Sequence, residues 1–563
     1  MKRLALCFIA GLAWGQGWTQ WGQNPRHTGA VNVAAQRPEV IQGEFLYDPL
    51  AEAMREDSNG NLLVHYMAPI VDGQDVFMMT REGEWRSCRE FLQPCGTALW
   101  NRFQWNVTRL QWEGGKLSAK WTTDSRWKPA PDTGSRWEPV FHPVLVGRYI
   151  YAPSNAGMVM KIDRDSGRVM EQINPFGEEN PNMYVAGPLT ADDGGNLYYN
   201  AIQLAPTNPW TTEVAGAWLV KIGADGTVVR VSFGRMNREA PSTCRQSFAE
   251  AGAAAPLPWP PTPDAVPPSG PCGRQRPGLN VAPAVGADGT IYTVGRAHFN
   301  ASHGYLVALD PNLRVKWISS LRDRLNDGCD VSLPASGTRG GCRAGATRGV
   351  DPTTNTLPAG QVMDLSTASP VVAPDGSILY GAFTGYNHFR GHLMKFSPAG
   401  DYLAAYDFGW DTTPAVYPHD GTYSVLLKDN HYGAPSYCGT AAFCLPDERR
   451  YDLVSLNADL RKEWNFRSTN TQACERQPDG TTRCETQPEG FEWCVNMVAV
   501  DKDGVMYANS EDGNLYAIDR NGRLVSNLFL KVAIGAAYTP LAIGGDGRIY
   551  TQNAGSLFVV GAR

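Results

Sequence analysis

Several signatures of enzymatic chemistry are missing from these 563 residues. There is no Gly-x-Gly-x-x-Gly opening a helix for a dinucleotide, no Gly-x-Ser-x-Gly nucleophile elbow, no complete EF-hand calcium loop and no Cys-x-x-Cys-His for covalent haem. Cys-x2-Cys pairs and histidines at matching spacings are absent too, which removes the usual zinc frameworks, so no metal site is expected. Charged residues make up only 19%, the formal net charge is -6 and no basic run occurs, which argues against a nucleic-acid partner. After residue 20 no uninterrupted apolar stretch is long enough to span a bilayer. Together these absences weigh against catalysis.

What is present is a repeat. Eight times an apolar stretch opens on Pro or an equivalent, at Pro69, Pro143, Pro188, Pro283, Pro370, Pro414, Met497 and Pro540. A Gly-containing turn and a second strand typically follow, as in Asp288-Gly289-Thr290-Ile291-Tyr292. Three of the seven intervals lie near 44 residues and four are longer, and a unit of roughly 40 to 45 residues built from short strands is the mark of propeller blades. A second strand pair completes each unit with alternating apolar residues, as in Gly513-Asn514-Leu515-Tyr516-Ala517-Ile518-Asp519. Period-two alternation lets one strand pack against two neighbouring sheets. The 59 glycines and 40 prolines suit many turns, and the 17 tryptophans suit large plugs between sheets. An all-β, eight-bladed β-propeller with disulfide-stapled loop insertions is the expected fold. Its last blade is expected to be completed by strand material from the amino terminus, because closure removes exposed edges.

Met1-Lys2-Arg3 followed by Leu4 to Trp14 reads as a positive region and a short apolar region, with Gly15 and Gly17 near a cleavage point. Residues 1–17 are therefore expected to be a secretory signal peptide and 18–563 a single propeller domain. The cysteines point to the same oxidising, secreted or periplasmic compartment. Ten fall into close pairs: Cys88 with Cys95, Cys244 with Cys272, Cys329 with Cys342, Cys438 with Cys444, and Cys474 with Cys484. Every pair lies inside a long repeat, where an insertion without a core of its own gains most from a local cross-link. Cys494 is left over and is expected to be a buried, inert thiol.

The segment Trp18-Thr19-Gln20-Trp21-Gly22-Gln23-Asn24-Pro25-Arg26-His27-Thr28-Gly29-Ala30 resembles the opening signature of the quinoprotein-like, or PQQ-like, β-propellers. The stretches Gly147 to Gly167, Gly286 to Trp317 and Asp503 to Gly522 resemble that family's degenerate blade repeat. The resemblance covers most of residues 18 to 563 and implies eight blades, matching the independent count. The family divides into quinone-dependent dehydrogenases and scaffolds that bind no cofactor. Dehydrogenases of the methanol and ethanol type carry an adjacent-cysteine disulfide, and no Cys-Cys dipeptide exists here.

In a propeller, residues just before each innermost strand point into the central channel. The candidate ligand site there comprises His65, His142, Tyr184, Asn280, Thr367, Asp411, Asn496 and Tyr538, with no catalytic residue assigned. The two histidines are the groups able to bind a metal or act as a base. The leading expectation is a binding or assembly module that recognises a protein, polysaccharide or envelope component through its loops, without a cofactor. The alternative is a dehydrogenase of alcohols or sugars using pyrroloquinoline quinone (PQQ) and calcium in the central funnel. That reading requires stacking aromatics, for which Trp210, Trp410 and Trp493 are the candidates, and calcium-binding carboxylate or amide groups in one place.

Overall fold

A computed structural model describes residues 17–57, 67–85, 101–131, 140–248, 262–325, 328–329, 345–384, 390–431, 450–493, 495–535 and 540–563. Eight antiparallel sheets follow one another in chain order, giving an eight-bladed β-propeller. Their innermost strands are Ile70–Asp72, Val144–Val146, Thr190–Ala191, Ala284–Val285, Val371–Val372, Ala415–His419, Ala499–Val500 and Ala542–Ile543. Each begins at or just after one of the eight openings read from the sequence. Proline is tolerated there because the first residue of a strand needs no ladder N–H, and Met497 serves equally well.

The alternation works as expected. Adjacent residues of one strand join different inter-blade cores: Tyr199 packs toward blade 2 with Val144 and Val159, whereas Tyr198 packs toward blade 4 with Val307 and Leu309. Similar apolar clusters fill the other inter-blade spaces. The tryptophans add a repeated contact. Trp317, on the outer strand of blade 4, lies over Gly400 in blade 5 and donates its indole N–H to Pro398 O at 2.9 Å. A Cβ at Gly400 would come 2.6 Å from that ring, so the position excludes any side chain. Trp121 over Gly167 and Trp464 over Gly522 repeat the arrangement.

The ring closes as expected. In blade 8 the strand Val40–Leu46 pairs antiparallel with Ser556–Gly561 and supplies the fourth strand. The first and last parts of the chain are thereby locked together.

The two faces of the propeller differ. Every connection from the first to the second strand of a blade, and from the third to the fourth where these are consecutive, is five residues or fewer. In many of these turns an Asp or Asn opens the turn and accepts backbone N–H groups two or four residues on, as Asp310 does from Asn312 and Arg314. All longer connections join second to third strands or one blade to the next, and antiparallel order brings both kinds to the opposite face. One face is therefore a ring of tight turns and the other carries every insertion. Two insertions contain disulfide-bridged hairpins: Thr243–Arg245 with Ser269–Pro271 through Cys244–Cys272, and Gln472–Arg476 with Thr482–Thr486 through Cys474–Cys484. Cys329 is also disulfide-bonded. Cys88, Cys95, Cys342, Cys438, Cys444 and Cys494 lie outside the described residues.

Candidate functional site

The channel is closed at the turn face by residues 17–33. This segment has no regular structure; it runs around the axis and exchanges backbone hydrogen bonds with successive innermost strands. Trp18 pairs with Val71 in both directions at 2.8 Å, and Thr19 O accepts from Leu145 N. Pro25 O, Arg26 O, Thr28 O and Gly29 O accept from Val285, Val372, Val416 and Val500 in turn. Blade 3 is reached by a side chain, since the Gln20 amide bonds both N–H and C=O of Ala191. Such a path needs sharp reversals, and Gly22, Gln23, His27 and Gly29 all have positive φ. A Cβ at Gly22 would sit 2.7 Å from the His27 backbone, which explains glycine at that position.

His27 is fully buried in the plug. Its Nδ1–H donates to Pro370 O at 2.8 Å, while Nε2 lies 3.2 Å from Thr190 Oγ1. His142 is equally buried beside it, donates Nδ1–H to Pro143 O at 2.7 Å and meets the Trp21 ring edge-on at 5.6 Å. Burial lowers the pKa of each to about 4, so both rings are neutral at physiological pH.

At the insertion end of the channel the predicted residues mostly bond across blade boundaries. Asp411 Oδ2 accepts from Thr367 N at 2.7 Å and from the Ser366 and Thr367 hydroxyls at 3.2 Å, joining blades 5 and 6. Asn496 O accepts from Thr413 N and Thr412 Oγ1, both at 3.1 Å. Asn280 takes Val140 N on its side-chain oxygen and donates its own N–H to Ala186 O. Ser369 and Thr413, which the sequence reading did not select, continue the chain of bonds by accepting from Ala282 N and Ser369 N. Asp411 Oδ1, both side-chain polar atoms of Asn496 and His142 Nε2 are buried without a protein partner. Tyr184 lies elsewhere, in the short strand Met183–Val185 that pairs with the far end of Leu197–Gln203. His65 and Tyr538 are outside the described residues.

A second cluster was not anticipated. Arg276, on the strand Gln275–Pro277, grips Asp364 with two bonds of 2.7 and 2.6 Å, and Arg296 reaches the same carboxylate at 3.3 Å. The two guanidinium groups also donate to His298 Nδ1 and to the carbonyls of Pro277, Ala297, Val362 and His298. Burial alone would raise the Asp364 pKa, but the two arginines outweigh it and hold the carboxyl well below its usual range. Burial, reinforced by Arg276, brings Arg296 down to about 10. With all six guanidinium nitrogens donating internally, the cluster is a clamp between blade 4 and the connection to blade 5.

PQQ and calcium, the cofactors of the enzymatic branch, can be tested against these residues. Calcium takes six to eight oxygen ligands. Asp411 and Asn496 each leave one side-chain oxygen unpartnered, and the Asp364 carboxylate is committed to two arginines. The three candidate tryptophans are dispersed: Trp210 lies over Arg276, Trp410 against Phe383, and Trp493 between Phe466 and Tyr516. Asp411, Asn496 and Asp364 thus form no calcium shell, and the three candidate tryptophans no common stacking platform.

No family model and no curated protein matches this chain. Among solved structures it is similar to the quinohemoprotein alcohol dehydrogenase from Comamonas testosteroni, at 12% identity over 98% of this chain and 82% of that one, with a TM-score of 0.49. It is also similar to quinohemoprotein alcohol dehydrogenase ADHIIG from Pseudomonas putida HK5, at 9% identity over 97% and 76%, TM-score 0.48. BamB from Moraxella catarrhalis matches at 11% identity over 82% and 94%, TM-score 0.34. At such identities and TM-scores the likeness concerns architecture alone; the eight blades rest on the sheets of this chain itself.

Proposed function

We propose that this chain is a secreted or periplasmic recognition scaffold that binds a protein, polysaccharide or envelope component through its insertion face, without catalysis. One observation carries the reading: every connection longer than five residues emerges on the same face of the ring. Variable loops on a rigid framework are where binding usually resides. The plugged channel and the inter-blade bonds keep that framework rigid. The disulfides fit an oxidising compartment, in keeping with residues 1–17 as a leader and 18–563 as one domain. No helix among the described residues is long and apolar enough to cross a membrane.

Photo-crosslinking tests the reading in cells that express the chain. A photoreactive residue at Val266 or Asp479, on the two stapled hairpins, is expected to capture a partner, whereas one at Asp193 or Asn521, on the turn face, is not. Adducts confined to the turn face overturn the proposal. Calorimetric titration with PQQ, with and without calcium, is expected to give no binding. Calcium-dependent binding with dye-coupled oxidation of an alcohol or aldose restores the dehydrogenase reading.

A further inference from the structure

A groove of about 980 Å³ runs along the outer wall of the ring between blades 3 and 4. Arg235, Arg238, Arg314 and Arg322 line it, and none forms an ion pair among the described residues. Glu239 is the one carboxylate in the lining. Arg230 also borders the groove, but its guanidinium bonds Pro175 O and covers Phe176 on the side of blade 2. In a chain of net charge -6 this is a concentrated surplus of positive charge.

The groove is amphipathic. Val229, Val315 and Ile318 line it while remaining 45%, 39% and 37% exposed. One wall is the strand Val315–Ser320, the outermost of blade 4, which pairs inward with Asn300–Leu309 and has no strand on its outer edge among the described residues. His303 adds an independent sign of a missing partner. Only 7% exposed, it lines the groove, and its Nε2 accepts the Arg245 backbone N–H at 3.2 Å. Burial, then Arg322 and Arg245, lower its pKa to about 4, so the ring is neutral and its proton rests on Nδ1. That donor is buried and has no acceptor.

We propose that this groove binds an acidic, extended segment of a partner polypeptide, which adds a strand to the outer edge of blade 4. Carboxylates of the segment face the four arginines, and its apolar side chains cover Val229, Val315 and Ile318. Its backbone satisfies the open edge, the mode in which main-chain bonds give affinity and alternate side chains give specificity. The open edge and the exposed aliphatic residues favour a peptide over an anionic glycan, which offers no strand to pair. The peptide reads the groove and the crosslinks at Val266 and Asp479 read the stapled hairpins, so failure here leaves the insertion-face reading standing, and the reverse holds too.

The test uses the full mature chain and a fluorescein-labelled alternating Glu-Val dodecapeptide, followed by anisotropy. Saturable binding that weakens with added salt is expected, and R235E/R314E, at two exposed positions, is expected to weaken it about tenfold or more. Charge reversal at the distant Arg483 is expected to change nothing. A peptide N-methylated at alternate residues is expected not to bind, because it cannot pair with the edge. Absence of peptide binding overturns the proposal, as does binding indifferent to salt and to R235E/R314E, or full binding of the N-methylated peptide. Binding of dextran sulfate without the peptide also overturns it and makes the groove a glycan site. The salt series on the unaltered chain keeps the test decisive if the variant folds poorly.

Discussion

Asp364 is the residue on which the fold leans most visibly, because one carboxylate balances two guanidinium groups in a nearly closed space. Removing one member of such a group leaves uncompensated buried charge, at a cost of about 3–5 kcal/mol. Asp364→Asn is therefore expected to lower unfolding free energy by that order in urea titration. Combining it with Arg296→Met is expected to recover part of the loss, whereas an unchanged midpoint in the single variant contradicts the clamp. The buried histidines add a pH dependence of definite sign. His27 and His142 stay neutral in the folded state down to about pH 4, while in the unfolded chain they take up protons near pH 6.5. The unfolded state thus binds more protons between these values, so stability is complete above pH 6.5 and is lost as pH falls toward 4. The shift corresponds to about 3 kcal/mol per histidine. His27→Gln is expected to flatten the midpoint-against-pH curve in this window; an identical slope counts against the assignment.

At the scale of elements, the stapled hairpin Gln472–Arg476/Thr482–Thr486 is bound at its base by backbone bonds from Arg476 N to Lys531 O and from Ala533 N to Cys474 O. Arg55 also reaches Glu475 at 2.7 Å. The hairpin has little apolar core, so the Cys474–Cys484 bridge supplies order that packing does not. Replacing both cysteines by serine is expected to raise hydrogen exchange in residues 472–486 while the blade strands keep their protection. Uniform loss across the molecule shows instead that the hairpin belongs to the cooperative unit. Much of this level was legible beforehand. The eight openings mark eight innermost strands because Pro, the apolar pair after it and the turn residues each answer a local demand of strand geometry. The Cys244–Cys272 and Cys474–Cys484 pairs were legible from proximity alone. The plug at 17–33 was quoted for its resemblance, but its role in closing the channel was not legible: its bonds go by backbone carbonyls to six blades and by the Gln20 side chain to a seventh, and a path of left-handed turns has no periodicity. The Arg276–Asp364–Arg296 clamp escaped for a similar reason, since its members lie on three separate elements and share no spacing motif. Tyr184 shows the limit of a positional rule, because a strand pairing with Ile202 draws it away from the sites of Asp411 and Thr367.

For the whole molecule the decisive feature is that residues 17–46 act twice, first as plug and then as the closing strand of blade 8. A propeller without closure exposes the edge of Ser556–Gly561, whose residues are all buried in the closed ring. The same loss frees the innermost strands of seven blades from their bonds to the plug and opens the channel around His142 to water. A chain beginning at residue 48 is therefore expected to lose cooperative melting, with no local subset of blades spared, because each inter-blade core depends on the next. The reciprocal experiment separates closure from mere chain length. A synthetic peptide of residues 17–47 added to the shortened chain is expected to restore a cooperative transition whose midpoint rises with peptide concentration, as binding to the folded state alone requires. A peptide carrying Gly22→Ala meets both the left-handed φ and the His27 backbone, and is expected to rescue more weakly than the unaltered peptide. A shortened chain that melts cooperatively without any peptide shows that blade-to-blade packing alone holds the ring, and that the amino-terminal segment merely decorates it.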